Sequence, residues 1–296
     1  MKKLLILLFT FFNLNAHSQA NSLEITWFGT TSFYISDGTD AIYFDPFITR
    51  PSLWKIITFQ AIQSDPEIVK KWISQEKRKK IRAIFISHSH YDHILDIGEL
   101  QKLTRAKVYA SETAKNIAHG SGVELSNISF IQEYLTINVG NFEITVLPGE
   151  HPAHLWGMTF ASGTIKNPIQ YPTSVMGYEM GKVYTYLVKH KNGSIFFSAS
   201  GVPSIDHKKL NTKVDIVIQG IAKSTGYKNL IEKQVLPFEP KIIIPAHHDS
   251  FFRQLSEGYK ESFFANLKEF KKLSNEKMKN SQVLDLKYGK SFIFQK

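Results

Sequence analysis

Apolar positions gather in three short, β-branched and aromatic runs, "LEITWFG", "TSFYIS" and "AIYFDPF" (23–29, 31–36 and 41–47), which break at Gly, Asp and Ser and predict three antiparallel strands. The stretch 46–64 has Phe47, Trp54 and Phe59 but no clear period, and reads as a loop or lid. Asp65 as a cap and Pro66 in the first helical position then open a helix expected to run to about Lys80. "IRAIFIS" (81–87) reads as a buried strand, "ILDIGELQKLT" (94–104) as a helix, "KVYAS" (107–111) as a strand and "ETAKNIAHG" (112–120) as a short helix ending at Gly120. "SFIQ", "LTINV" and "FEITVLP" follow as strands, and an irregular stretch (152–180) precedes the hairpin "VYTYLVKHKNGSIFFSAS", whose Asn192-Gly193 pair is a strong turn signal. A strand "VDIVIQ", a helix "NLIEKQV", a strand "KIIIPAHHDS", an amphipathic helix over roughly 256–273 and two last strands complete the pattern. Strands followed by helix-strand alternation, twice over, predict an α/β fold: two mixed β-sheets face to face with helices outside, in one domain over 21–296.

The first twenty residues stand apart from that pattern. Lys2 and Lys3, the apolar run "LLILLFTFF" and the polar "NLNAHSQA" read as an export signal cleaved after Ala20, which predicts a periplasmic or secreted protein. Nine apolar residues are too few to span a bilayer, and no later segment reads as a membrane span. Cysteine is absent, which excludes both a disulfide framework and thiolate metal ligands. The formal net charge is +10, or 10 − 2 = +8 without Lys2 and Lys3. Its clusters, at 70–80 and 260–290, are interleaved with Glu and apolar residues at helical spacing, as on solvated helix faces. Attraction to an anionic substrate or membrane surface is the alternative. No aromatic and basic pattern points to nucleic acid, and nothing in the sequence fixes an oligomeric state.

The densest chemistry lies in "ISHSHYDH" (86–93). With 11 histidines in 296 residues, H-x-H-x-D-H arises by chance on the order of once in 2,000 such chains. In an extended turn leaving a strand, residues two apart face the same way, so His88 and His90 can present imidazoles to one ion. Asp92 and His93, just past the turn, can face a second. Imidazole with one carboxylate suits Zn²⁺ and tolerates Fe or Mn. Four residues cannot close two sites. His151, ending "FEITVLPGEH", and His247, ending "KIIIPAHH", each stand where an apolar strand meets a polar loop, with His154 and His248 as neighbours able to replace them. His119, His190 and His207 read as surface residues.

These motifs resemble those of the metallo-β-lactamase superfamily. "SHSHYDH" is similar to its signature, "ITWFGTTSFYI…IYFDPF" to its opening strands, and "VLPGEH" and "PKIIIPAHH" to its later histidine strands, over about residues 23–252. Within it, the "DPF" and "PAHH" contexts are most similar to the branch of ascorbate-phosphate lactonases and N-acylphosphatidylethanolamine phospholipase D. The resemblance implies a four-layer αβ/βα sandwich. It makes His88, His90 and His151 the ligands of one metal, and Asp92, His93 and His247 those of the other. It makes Asp45 a residue that orients a ligand histidine, against the simpler reading of a turn-capping Asp before Pro46. One departure stands out: where the family usually has Gly-Asp-(Thr/Ser)-Gly, with a bridging Asp, this chain reads "SASGV" with Ser200 in that place. Either the second site weakens, or two metals are held on three ligands each, as in the β-lactamase subclass with H-x-H-x-D-H and a serine near this position.

The expected activity is hydrolysis of an ester, lactone or phosphodiester by a metal-bound hydroxide, one or two zinc ions supplying a nucleophile near neutral pH. Asp92 is the expected catalytic residue, orienting the nucleophile and carrying its proton to the leaving group. Tyr91 either touches substrate or packs on its neighbours. The aromatic stretch 47–60 and the loop "PAHLWGMTF" are expected to wall an apolar pocket for a small-molecule or lipid-like substrate, and the positive charge would suit an anionic one. The rival reading is a binding protein that lost turnover with the bridging Asp. Metal content and a substrate panel separate the two.

Overall fold

The computed structural model describes residues 21–153, 161–203, 210, 212–224 and 226–296. The expected export segment, His154, His207 and the loop "PAHLWGMTF" beyond Ala153 lie outside them.

The three opening runs form β1 (Ser22–Trp27), β2 (Phe33–Ser36) and β3 (Ala41–Phe44), paired antiparallel as expected. β4 (Ile81–Phe85), β5 (Lys107–Ala110) and β6 (Ile128–Phe130) extend this sheet in parallel, and β14 (Ser291–Gln295) closes its other edge against β1. The second sheet has the same plan. β7 (Thr136–Val139), β8 (Phe142–Pro148), β9 (Tyr184–His190) and β10 (Gly193–Ser198) pair antiparallel, followed in parallel by β11 (Ile216–Gly220), β12 (Ile242–Ala246) and β13 (Gln282–Val283). Each sheet thus has seven strands.

The side-chain period of two sorts each strand between two cores. Leu23, Ile25, Phe44 and Phe85 of the first sheet meet Ile144, Ile195, Phe197 and Ile244 of the second in the inner layer. Phe44 stacks on Phe197 across that layer with ring centroids 4.4 Å apart. The alternate residues face outward: Tyr43 and Ile84 pack on the helices Ile97–Thr104 and Glu112–Gly120, and Phe196, Val217 and Ile243 on Leu230, Val235 and Phe270. Parallel strands are covered on both faces, which is why "IVIQG" and "IIIPA" are buried throughout. The result is the expected four-layer sandwich.

Three local expectations are corrected. The helix expected over 65–80 is two helices, Pro66–Trp72 capped by Asp65, and Gln75–Lys80 capped by Ser74. Between them Ile73 is extended and fully buried, and the Ser74 hydroxyl takes the Lys77 amide, so one core anchor and one cap break the run. The amphipathic helix expected over 256–273 spans Leu267–Lys277, because the Asn266 side chain caps it by accepting from the Glu269 amide. The stretch 46–64 contains a short helix, Leu53–Ile57, on a Ser52 cap. Among the described residues no helix is long and apolar enough to cross a membrane.

Candidate metal centre

In both sheets the parallel strands point their carboxyl ends to one edge, where polar loops leave the sheet. Asp45 follows β3, His88 follows β4, His151 follows β8, Ser200 follows β10, and His247 follows β12. After β4 the chain stays extended through His90 (φ −60°, ψ 150°) and then enters the helix Tyr91–Ile94. That turn places His88 and His90 on one side and lifts Asp92 and His93 on the first helical turn.

Two groups of three possible metal donors result. His88, His90 and His151 each offer an atom within 4.8 Å of the others, and so do Asp92, His93 and His247. The first three rings form a near-equilateral triangle, with centroids 4.9, 4.9 and 4.8 Å apart. In the second group Nε2 of His93 lies 3.2 Å from Nε2 of His247, and Asp92 Oδ2 lies 3.3 Å from His247 Nε2 and 3.7 Å from His93 Nε2. Donors held about 2.0–2.1 Å from one tetrahedral ion sit roughly 3.3–3.4 Å apart, so this spacing fits a shared cation. His88 Nε2 is buried without a hydrogen-bond partner, the condition of a lone pair waiting for a metal.

Neighbours fix the ring orientations. Asp45 is fully buried at φ +46°, and its Oδ2 accepts from His93 Nδ1 at 2.9 Å, from Thr31 Oγ1 at 2.8 Å and from Ser87 Oγ at 2.6 Å. Its Oδ1 accepts from the Ser87 amide at 2.7 Å. A carboxylate only accepts, so His93 carries its proton on Nδ1 and aims the Nε2 lone pair into the group. His151 Nδ1 donates to the Pro152 carbonyl at 2.8 Å with the same consequence. Asp45 therefore orients a histidine and is no mere turn cap.

Electrostatics follow from burial and crowding. Burial holds His88 well below the usual histidine range, and the neighbouring imidazoles add to it. Burial also draws His247 down. It pushes the Asp92 carboxyl up, but His93, His247 and His90 outweigh it and leave Asp92 well below the carboxylate range. Burial lowers His93, while Asp92 and Asp45 together raise it above its ordinary value.

Over both groups lies a cavity walled by Ile56, Val175, Tyr178, Phe251, Phe252 and Phe264. Ser200 opens onto it with a buried Oγ that has no hydrogen-bond partner. Tyr91 also lines it, and packs edge-on against Phe47 at 5.7 Å.

The sequence model of the beta-lactamase superfamily domain matches residues 24–247, and the two-sheet sandwich with donors at one sheet edge agrees with it. The chain belongs to the metallo-β-lactamase superfamily. It is 26% identical over 237 residues to a UPF0173 metal-dependent hydrolase of Methanopyrus kandleri, covering 77% of this chain and 85% of that protein. It is 26% identical to another of Thermodesulfovibrio yellowstonii, covering 98% of each. The structure of Igni18, a metallo hydrolase from Ignicoccus hospitalis, superposes with a TM-score of 0.62 at 16% identity, covering 93% of this chain and 99% of that one.

The remaining expectations sort as follows. His248 sits apart, its ring 5.0 Å from Trp27 and its Nδ1 3.0 Å from the Tyr259 hydroxyl. His190, expected at the surface, is buried with Nε2 3.3 Å from Asp37 Oδ2, because the hairpin turns it toward a carboxylate. Trp54 and Phe59 point to solvent, so of the stretch 47–60 only Ile56 is among the wall residues described. The sequence reading missed Phe251, Phe252, Phe264 and Lys223. Lys223 had a positional signal: it follows β11, at the same sheet edge as Ser200 and His247. Burial draws its ammonium pKa down, and Asp92 offsets part of that.

Proposed function

We propose that this protein is a metal-dependent hydrolase acting on an ester, lactone or phosphodiester. The observation that carries the reading is the convergence of two three-donor groups on the floor of one cavity. In this reading His88, His90 and His151 would hold one ion, and Asp92, His93 and His247 would hold the second. Five imidazoles and a carboxylate with no thiolate suit zinc, with iron or manganese as alternatives. When bound, the metal supplies a water acidified to near neutrality and a Lewis acid for the oxygen under attack.

The chain's own residues supply the rest. Asp92, kept ionised by its histidine neighbours, orients the attacking water and relays its proton to the leaving group. Asp45 keeps His93 in one tautomer. Ser200, a neutral hydroxyl, is a weak ligand, so each ion would rest on three protein donors. The aromatic and aliphatic wall sheds water from the reacting bond. Export to the periplasm or medium belongs to the same proposal and rests on the basic and apolar start of the chain.

The test is metal analysis of the purified protein, followed by turnover on aryl ester, lactone and phosphodiester panels before and after chelation. Bound metal with chelator-sensitive turnover on one panel supports the hydrolase. Full metal occupancy without turnover favours the binding-protein reading, which Ser200 in place of a bridging carboxylate suggests. Absence of metal and of activity on adding Zn²⁺ sinks the hydrolase reading. Cell fractionation checks the export.

A further inference from the structure

Among the described residues, Lys223 is the one lysine or arginine on the wall of the metal cavity. Its surroundings are unusual for a lysine. The residue is half-buried and makes no ion-pair contact with a carboxylate of the described residues, the Asp92 carboxylate acting on it only from farther off. Its ammonium lies 4.9 Å from the centre of the Phe264 ring, and its amide donates to the Phe264 carbonyl at 2.7 Å. The backbone sits at φ +54°, a left-handed conformation that a non-glycine residue adopts only where its surroundings impose it. Two separate contacts to Phe264 thus keep one cation at the cavity wall, on a strained backbone.

Lysine heads normally reach water or a carboxylate. This one is held against an aromatic face beside a pocket floor that already carries the metal donors. Elsewhere the wall carries Val175, Tyr178, Phe251 and Phe252, which are apolar or aromatic. From this arrangement we infer that Lys223 binds an anionic group of the substrate, a carboxylate or phosphate set apart from the bond being cleaved, while Phe251 and Phe252 cover an apolar portion. The inference rests on the hydrolase reading and narrows it: neutral esters and lactones become poor substrates, and anionic amphiphiles good ones. A bound anion would also compensate for the partial burial of the ammonium, which in its absence is a cost to the fold.

The test uses the metal-loaded full chain with Lys223→Met and Lys223→Arg, each checked for unchanged metal content. Two matched aryl ester pairs serve as substrates, each differing only in a remote neutral, carboxylate or phosphate substituent. The expected result is a kcat/KM preference for the anionic member that Lys223→Met reduces about 10- to 100-fold through KM, and that Lys223→Arg largely restores. The carboxylate and phosphate arms identify which anion the site prefers. Calorimetric binding of phenylphosphonate and phenylacetate to wild type and Lys223→Met gives a second readout without turnover. If the wild type hydrolyses nothing, the hydrolase reading fails, yet a tenfold or greater loss of anion affinity in Lys223→Met still supports the subsite. Equal preference and equal binding in wild type and Lys223→Met overturn it.

Discussion

His93 and His247, 154 residues apart in sequence, face each other Nε2 to Nε2 at 3.2 Å, with the Asp92 carboxylate beside both. Two imidazole lone pairs repel at that distance unless a proton or a cation lies between them. The proton that His93 favours in this setting is what a metal displaces. His247→Ala is therefore expected to remove one equivalent of metal and leave the other on His88, His90 and His151. His151→Ala should do the reverse. Metal-to-protein ratios of the purified variants check this, and loss of both ions in either variant would show that the two groups do not act as separate sites.

Ser200 bears on the number of metals. Its buried Oγ faces the cavity and meets no partner, so a longer carboxylate at this place would have no competing contact and could turn to a bound ion. Ser200→Asp should tighten the weaker metal equivalent. The gain should be at least the roughly tenfold that an outer hydrogen-bonding partner provides, because a direct ligand is added. Competition with a chromophoric chelator measures it, and unchanged affinity for both equivalents would remove Ser200 from the account of metal number.

Much of this centre was legible from the chain, and for identifiable reasons. Apolar runs that stop at a polar residue gave away the strand ends, so His88, His151 and His247 could be placed on one sheet edge before any coordinates. What escaped depends on partners distant in sequence. His190 is buried because Asp37, 153 residues away, meets it, and no local pattern announces such a pair. The helix break at Ile73 turns on one side chain reaching the core. Phe251, Phe252 and Phe264 look like ordinary core residues until the loop after His247 folds over the donors. Asp45 was visible as an Asp-Pro turn, but its hold on His93 requires the two strand ends to be neighbours.

Asp37 makes the acid limb of stability testable. Burial pushes its carboxyl up, but the Asn141 side chain and the Asp40 and Thr39 amides outweigh this and lower it. A group lowered in the folded state stabilises above its unfolded pKa, and that contribution is lost as pH falls through its folded value. Asp37→Asn is thus expected to cost about 1–3 kcal/mol at pH 7. The gap to wild type should narrow as the medium is acidified below the ordinary carboxylate range, where the wild-type side chain protonates as well. Urea unfolding of both proteins at a series of pH values decides it, and a gap that is constant with pH would assign the loss to packing.

Arg50 and Asp249 form a fully buried ion pair, Nη2 to Oδ2 at 3.1 Å, behind the His247 loop. Asp249 Oδ1 also accepts from the Thr30 amide at 2.7 Å, and the Thr30 carbonyl accepts from the amide of His247, which is itself held at φ +58°. Gly29 is required there: at φ +89° a Cβ would stand 2.7 Å from Asp249 Oδ2. Removing one partner strands a buried charge, so Asp249→Leu should destabilise by about 3–5 kcal/mol. It should also weaken the metal equivalent that depends on His247. The double variant Arg50→Met/Asp249→Leu removes both charges and should recover much of the stability, but it leaves the Thr30 amide without its acceptor, so the metal defect persists. Unfolding free energies and metal titration on the same samples separate the two effects; recovery of metal affinity together with stability would mean that the ion pair supports the fold without positioning His247.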